Sequence, residues 1–185
     1  MILLGQWQEP DAQGRPHTVR KYWFPSQADQ AVFLRQLVEA YRQLQVLRNL
    51  AVWIVFDAYG CAPKALASHA TAIADWVQKR ILYVNELPET FSTPIRTLLN
   101  RYEDCDGHAV LVATLCEAIG IPTQLVLLEW AGGYRHIFPR ALVKLGGKMA
   151  ALPLDTTLNQ PVSRATNPIT LALRKHGPNV RILVV

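Results

Sequence analysis

Cysteine is scarce in this chain: three residues, Cys61, Cys105 and Cys116, among 185. So few, and an odd number, cannot build a disulfide framework, and the expected setting is a reducing cytoplasm or a particle assembled there. Long apolar runs are missing too. The longest, Leu50 to Phe56, has the length of a strand and falls far short of the roughly 18–20 residues of a membrane span. Met1 to Pro10 holds no basic segment and no sustained apolar segment, so no secretory signal is expected. Charge is sparse, at 18% of residues, and the net +5 comes from basic residues scattered as singles and pairs, such as Lys21, Arg48, Lys79, Arg80 and Arg140. Scatter of this kind serves solubility, and nucleic acid is not an expected partner. Internal repeats and low-complexity runs are also absent.

Half of the residues are apolar, enough for a core in a chain of single-domain length. Residues 1–26 hold one strand-like stretch, Thr18 to Phe24, among prolines and Gly14. Helical spacing runs through 27–49, at Ala28, Ala31, Val32, Leu34, Val38, Tyr41, Leu44 and Leu47. Leu50 to Phe56 reads as a buried strand. Pro63 to about Leu82 reads as a second helix, and turn formers including Asn85, Pro88, Ser92 and Pro94 follow. A third helix opens at Asp104-Cys105-Asp106-Gly107 and is stopped by Gly120 and Pro122. Three strands are expected next: Thr123 to Trp130, His136 to Val143 (interrupted by Pro139) and Met149 to Asp155, with turns at Ala131–Gly133 and Lys144–Gly147. A last strand candidate is Asn179 to Val185. A helix followed by an antiparallel meander is α+β rather than alternating βαβ. The expected organisation is an N-terminal arm over 1–60, a core over 61–158 and a C-terminal tail over 159–185.

Cys105 falls in the first turn of its helix, where unpaired N–H groups and the helix dipole favour a thiolate. Asp104 and Asp106 oppose this by charge, so an activated Cys105 needs a cationic partner, and histidine is the usual one. If the strands after Cys105 are joined by a four-residue turn at Lys144–Gly147, His136 lies opposite Asp155, at the separation of a cross-strand pair. A carboxylate there orients an imidazole and favours its charged form.

Asp104-Cys105-Asp106-Gly107-His108-Ala109-Val110-Leu111, then Ala118-Ile119-Gly120-Ile121-Pro122, then His136 heading a strand, then Leu154-Asp155-Thr156-Thr157, resemble the transglutaminase-like superfamily in its short bacterial and phage form. Trp76 to Leu99, with Ile81-Leu82-Tyr83-Val84 and Ser92-Thr93-Pro94, resembles the lead-in to that family's cysteine. The resemblance covers about residues 64–158. It implies a papain-like α+β fold and a triad attacking amides through a thioester: Cys105 as nucleophile, His136 as general base and acid, Asp155 as orienter. It also implies a cysteine protease-like or transglutaminase-like acyltransferase acting on a peptide or protein. The chain departs from the family pattern at Glu103, where glycine is usual, at Gly107, where many relatives have a second Asp, at Pro139, which interrupts the strand after His136, and at Pro153, near where a tryptophan is often found.

Two alternatives stand beside this reading. The fold could serve as a phage or prophage structural or assembly component, its site vestigial or used once in maturation, with partner proteins held through the terminal arms. Cys105 and His108 could be half of a metal site, but Cys61, His69 and His136 supply no second close pair, so no metal and no cofactor is expected. Cys61, Cys116 and the five tryptophans read as core or interface residues, His108 as a partly exposed neighbour of Cys105, and Tyr102 and Trp130 as possible cleft residues.

Overall fold

The N-terminal arm forms a hairpin of β1 (Ile2–Pro10) and β2 (Pro16–Trp23). The computed structural model describes residues 1–10, 14–85, 91–131 and 133–185; Pro88 and Gly132 of the expected turns lie outside them. At the base of the hairpin, the rings of Tyr22, Phe24, Phe33 and Phe91 pack with centroids 5.4–6.3 Å apart and join it to the body.

The helical stretch expected over 27–49 is two helices, α1 (Gln27–Tyr41) and α2 (Gln45–Trp53), separated where Leu44 turns extended. Ser26 caps α1 by accepting the Asp29 N–H. The strand expected at Leu50–Phe56 is instead the end of α2 and a wider helical turn over Ile54–Ala58. The reason is visible in burial: Leu47, Ala51, Ile54 and Val55 face the core, while Val52, Trp53 and Phe56 are exposed. The apolar run thus covers both faces of a helix, a pattern that a seven-residue window cannot tell from a buried strand. Helix α3 (Leu66–Arg80) begins three residues after Pro63, because Lys64 adopts a left-handed conformation with φ of 65°. The loop expected before Cys105 contains α4 (Pro94–Asn100), capped by the Thr93 hydroxyl. It also contains a short parallel pairing of β3 (Leu82–Tyr83) with β4 (Tyr102–Glu103), made by Leu82 N–H to Arg101 O and Val84 N–H to Glu103 O.

Helix α5 (Cys105–Ala118) runs through the centre and is buried on all sides. The sheet beside it has the order β7-β6-β5-β8, from β5 (Thr123–Trp130), β6 (Gly133–Leu145), β7 (Lys148–Pro153) and β8 (Arg181–Val184), all antiparallel. One side of α5 packs Leu111, Leu115 and Cys116 against Leu47, Ile54 and Ile73 and against Ala141, Val143 and Leu154. The other packs Ala109, Val110 and Ala113 against Ala31, Leu34 and Val38 of α1 and against Leu125, Leu127 and Ile137. Each fully buried Leu or Ile contributes about 1.5–3 kcal/mol. The outer face of the sheet is covered by α6 (Pro168–His176), through Val126, Leu128 and Phe138 against Ala172 and Val180. Residues from both ends of the chain therefore pack on the elements that carry the expected site. No helix among the described residues is long and apolar enough to cross a membrane.

The expected four-residue turn between β6 and β7 is a two-residue turn, Gly146-Gly147, with φ of 57° and 82°. Positive φ at both central positions is the type I′ hairpin that suits strand twist. Pro139 does not interrupt β6. It lies opposite Leu125, whose own N–H and C=O bond Val185 of the far neighbour, so no hydrogen bond to β5 is lost. On the β7 side the Pro139 carbonyl accepts the Leu154 N–H at 2.8 Å, but proline has no N–H to return. The ladder ends there, and the chain after Leu154 is released from β6.

Candidate active site

The start of α5 is built by its own carboxylates. The Asp104 side chain caps the helix by accepting the Asp106 N–H at 3.0 Å. The Asp104 N–H in turn donates to Glu103 Oε2 at 3.3 Å. Cys105 is the first residue of the helix and is 9% exposed, at the rim of the apolar group formed with Ala31, Ala109, Leu127 and Ile137. Glu103 is fully buried, and its Cγ lies 1.8 Å from where a Cβ on residue 107 would stand. Residue 107 must therefore be glycine as long as Glu103 is folded inward. The two departures from the family pattern, a carboxylate before Asp104 and none at 107, are one exchange of volume across a single helical turn.

On the sheet, His136 donates from Nε2 to Asp155 Oδ2 at 2.7 Å. The two-residue turn places them on a diagonal rather than directly opposite, since the register running through Leu154 and Pro139 is displaced by two from the expected one. A shift of two keeps the side-chain alternation, whereas a shift of one would reverse it. The other Asp155 oxygen accepts the Thr157 N–H at 3.0 Å and the Thr157 hydroxyl at 2.8 Å. Burial works against ionisation of Asp155, but the His136 and Thr157 hydrogen bonds outweigh it and hold the carboxyl below the ordinary aspartate value. The His136 ring also stacks on Phe138, with centroids 5.9 Å apart.

Two further residues enter the same region. His108, expected to be partly exposed, is 1% exposed. Its Nδ1 lies 2.8 Å from the Thr156 hydroxyl, and burial pushes its pKa down to about 4, so the ring is neutral at pH 7. Tyr83 packs edge-on against His108, with centroids 6.0 Å apart, and donates its hydroxyl proton to Asn85 Oδ1 at 3.1 Å. Burial, followed by the negative charges of Cys105, Asp104, Asp155 and Asp106, pushes the Tyr83 pKa up to about 12. Cys105 and Asp155 thus act on the same phenol, from α5 and from the end of β7. Tyr83 stands in the lead-in segment that carried the resemblance; nothing in its spacing marked it as a neighbour of the cysteine. Of the residues expected near a cleft, Tyr102 is exposed on β4, and Trp130 stacks on His176 at 4.4 Å on the outer face of the sheet. Among the described residues no group of three or more His, Cys, Asp or Glu side chains is arranged to hold a metal ion.

A model of the transglutaminase-like superfamily core matches residues 52–144, half of the chain. The chain belongs to the transglutaminase-like superfamily. Two solved structures share the fold. A candidate cysteine protease from Cytophaga hutchinsonii superposes with a TM-score of 0.50 at 19% identity, over 81% of this chain and 50% of its own. A candidate protease from Parabacteroides distasonis superposes with a TM-score of 0.56 at 16% identity, over 96% of this chain and 33% of its own. The chain therefore spans half the length of the first and a third of the second. No curated protein matches the sequence.

Proposed function

We propose that this transglutaminase-like domain is a cysteine-dependent acyl-transfer enzyme acting on an amide of a peptide or protein, with Cys105, His136 and Asp155 as its triad. The observation that carries the reading is the 2.7 Å hydrogen bond from His136 to Asp155, made beside the elements that hold Cys105 at a helix N-terminus. A carboxylate bonded at Nε2 fixes the imidazole tautomer and leaves Nδ1 as the nitrogen able to exchange a proton with the sulfur.

In the proposed reaction Nδ1 takes the Cys105 proton, and Sγ attacks the amide carbonyl carbon. The S–C bond forms and the carbonyl oxygen becomes an oxyanion, stabilised by backbone N–H groups at the start of α5. His136 returns the proton to the departing nitrogen, the C–N bond breaks, and a thioester remains. Water or an incoming amine then attacks the thioester, His136 accepts its proton, and Cys105 leaves as the thiolate. Water is the simpler acceptor, because nothing in the sequence specifies a pocket for a lysine side chain. The protease descriptions of the two structural neighbours support a peptide or protein as substrate.

The test is alkylation with iodoacetamide across pH, with the modified cysteine located by mass spectrometry. Cys105 is expected to react preferentially near neutral pH. Cys105→Ser removes that signal, and His136→Ala lowers the rate by about 10²-fold or more. Amide hydrolysis or transamidation that persisted in full in Cys105→Ala would overturn the reading.

A second reading, the fold as an assembly component, rests on the N-terminal hairpin alone. Ile2, Leu4, Trp7 and Trp23 are exposed there, and among the described residues β1 and β2 pair only with each other. The carboxy-terminal strand β8 is already paired with β5. Removal of residues 1–24 would abolish a hairpin-mediated assembly and leave Cys105 alkylation intact.

A further inference from the structure

The Asp155-Thr156-Thr157 segment follows directly on the point where the sheet lets go of the chain. Leu154 makes the last bond to β6, and Pro139 has no N–H to continue the ladder. Some other contact must fix the position of Asp155, because an orienting carboxylate held loosely does not orient. Two contacts are present. Thr157 bonds back to Asp155 and shapes the turn, but it ties the segment only to itself. Thr156 reaches outward, its hydroxyl 2.8 Å from Nδ1 of His108.

His108 stands three residues after Cys105 on α5, so the two side chains emerge on neighbouring faces one turn apart. A closed path results: Cys105 and His108 on α5, Thr156 and Asp155 on the segment after β7, His136 on β6. We propose, resting on the triad reading above, that His108 is a positioning residue: a buried imidazole that clamps the Asp155 turn to the nucleophile's helix through the Thr156 hydroxyl. A histidine buried only to fill space could bond any nearby carbonyl. This one bonds the residue adjacent to Asp155, from a position one turn beyond Cys105, and the Leu82 backbone carbonyl approaches the same ring, so the imidazole also touches β3. The ring is also uncharged at neutral pH, so it adds no cation that would compete with His136 for Asp155.

The test uses pairs of variants in which one member keeps the hydrogen bond. Thr156→Val removes the hydroxyl at nearly constant shape, and Thr156→Ser keeps it. His108→Leu removes the ring nitrogens, and His108→Asn places an amide oxygen near the position of Nδ1. Two readouts are taken on full-length protein shown by thermal melting to be folded: the rate of Cys105 alkylation at pH 7, and the low-field proton resonance of the His136 ring N–H bonded to Asp155, assigned by its loss in His136→Gln. Thr156→Val and His108→Leu are expected to slow alkylation about tenfold and to broaden or abolish the low-field resonance. Thr156→Ser and His108→Asn are expected to stay close to the unsubstituted protein in both. If folded Thr156→Val kept both signals, or if Thr156→Ser lost them as fully as Thr156→Val, the clamp would be overturned. If either isosteric variant failed to fold, the His108 pair is read by the same criteria. Should Cys105 of the unsubstituted protein react no faster than a cysteine in a short peptide, the acyl-transfer reading falls, and the low-field resonance alone decides the clamp.

Discussion

The two ends of α5 carry two polar networks of opposite character. At the C-terminal end, Glu117 is nearly buried and both of its oxygens are engaged: Arg35 bonds both, Arg42 bonds one, and the Thr123 hydroxyl donates at 2.8 Å. A glutamate is badly placed there for the helix dipole. Burial opposes its ionisation as well, yet the hydrogen bonds from Arg35, Thr123 and Arg42 hold it below the ordinary glutamate value. At the N-terminal end, carboxylates suit the dipole, and the buried imidazole is uncharged: His108 bonds the Thr156 hydroxyl, and Cys105 sits at the boundary of an apolar group. A saturated network has one arrangement and fixes a helix. On this view the Glu117 end anchors α5 to α1 and β5 and so holds the Cys105 end in place for the chemistry proposed there.

The sharpest way to break this contrast is to remove the anchor. Glu117→Ala leaves two guanidinium groups facing each other without their carboxylate, and Arg35 is only partly able to reach water. Loss of one partner from a largely buried charged network costs about 3 kcal/mol, to be read as a lower urea midpoint. Below that midpoint the folded protein is expected to alkylate at Cys105 as before. An equal fall in alkylation rate within the folded state would mean that the two ends are not separable.

The second way is acid. The His108 ring resists protonation when folded, with a pKa of about 4, against an ordinary value near 6.5. The unfolded chain therefore binds a proton that the folded chain refuses between those values. Stability rises with pH across this window and is lost as pH falls from 6.5 toward 4. From pH 7 to pH 5 the loss is about 2 kcal/mol. Asp155 and Glu117 are both held below their ordinary values. Their contributions are present above the ordinary carboxylate range and disappear only at lower pH, as it falls through the folded values. Urea unfolding at pH 7 and pH 5 separates the two ends: His108→Asn is expected to flatten this step, and Glu117→Ala to leave it in place.

The same contrast explains what could be read without coordinates. Helix α5 was legible because its cap, its glycine stop and its following proline are local signals. The strands after it were legible because their turns are marked by glycine. The approach of His136 to Asp155 was foreseen through a turn two residues too long, and it survived because an error of two preserves the face. Leu50–Phe56 misled because apolar residues exposed on the outer face of α2 look like core residues in sequence. The burial of His108 and the approach of Tyr83 depend on β3 pairing with β4 and on where β7 lets go, and both are tertiary facts. Glu103 and Gly107 were visible only as separate oddities; their exchange of volume needs the helical turn that superposes them.

The smallest expected effect concerns the other cysteine of α5. Cys116 lies about three helical turns after Cys105 on the same helix. The two share a residue type and a helix, and differ in which end they occupy and in which apolar group they join. Cys116 is fully buried, and that burial, aided by the charge of Glu117, pushes its thiol up beyond any useful thiolate population. Iodoacetamide is therefore expected to leave Cys116 untouched in the folded protein and to modify it once urea unfolds the chain. Cys116→Ala removes one buried sulfur at a cost of about 1 kcal/mol and is expected to leave the pH dependence of Cys105 alkylation unchanged. Native-state alkylation of Cys116 at a rate approaching that of Cys105 would show that position on α5 does not set thiol reactivity, and the contrast between the two ends would lose its chemical meaning.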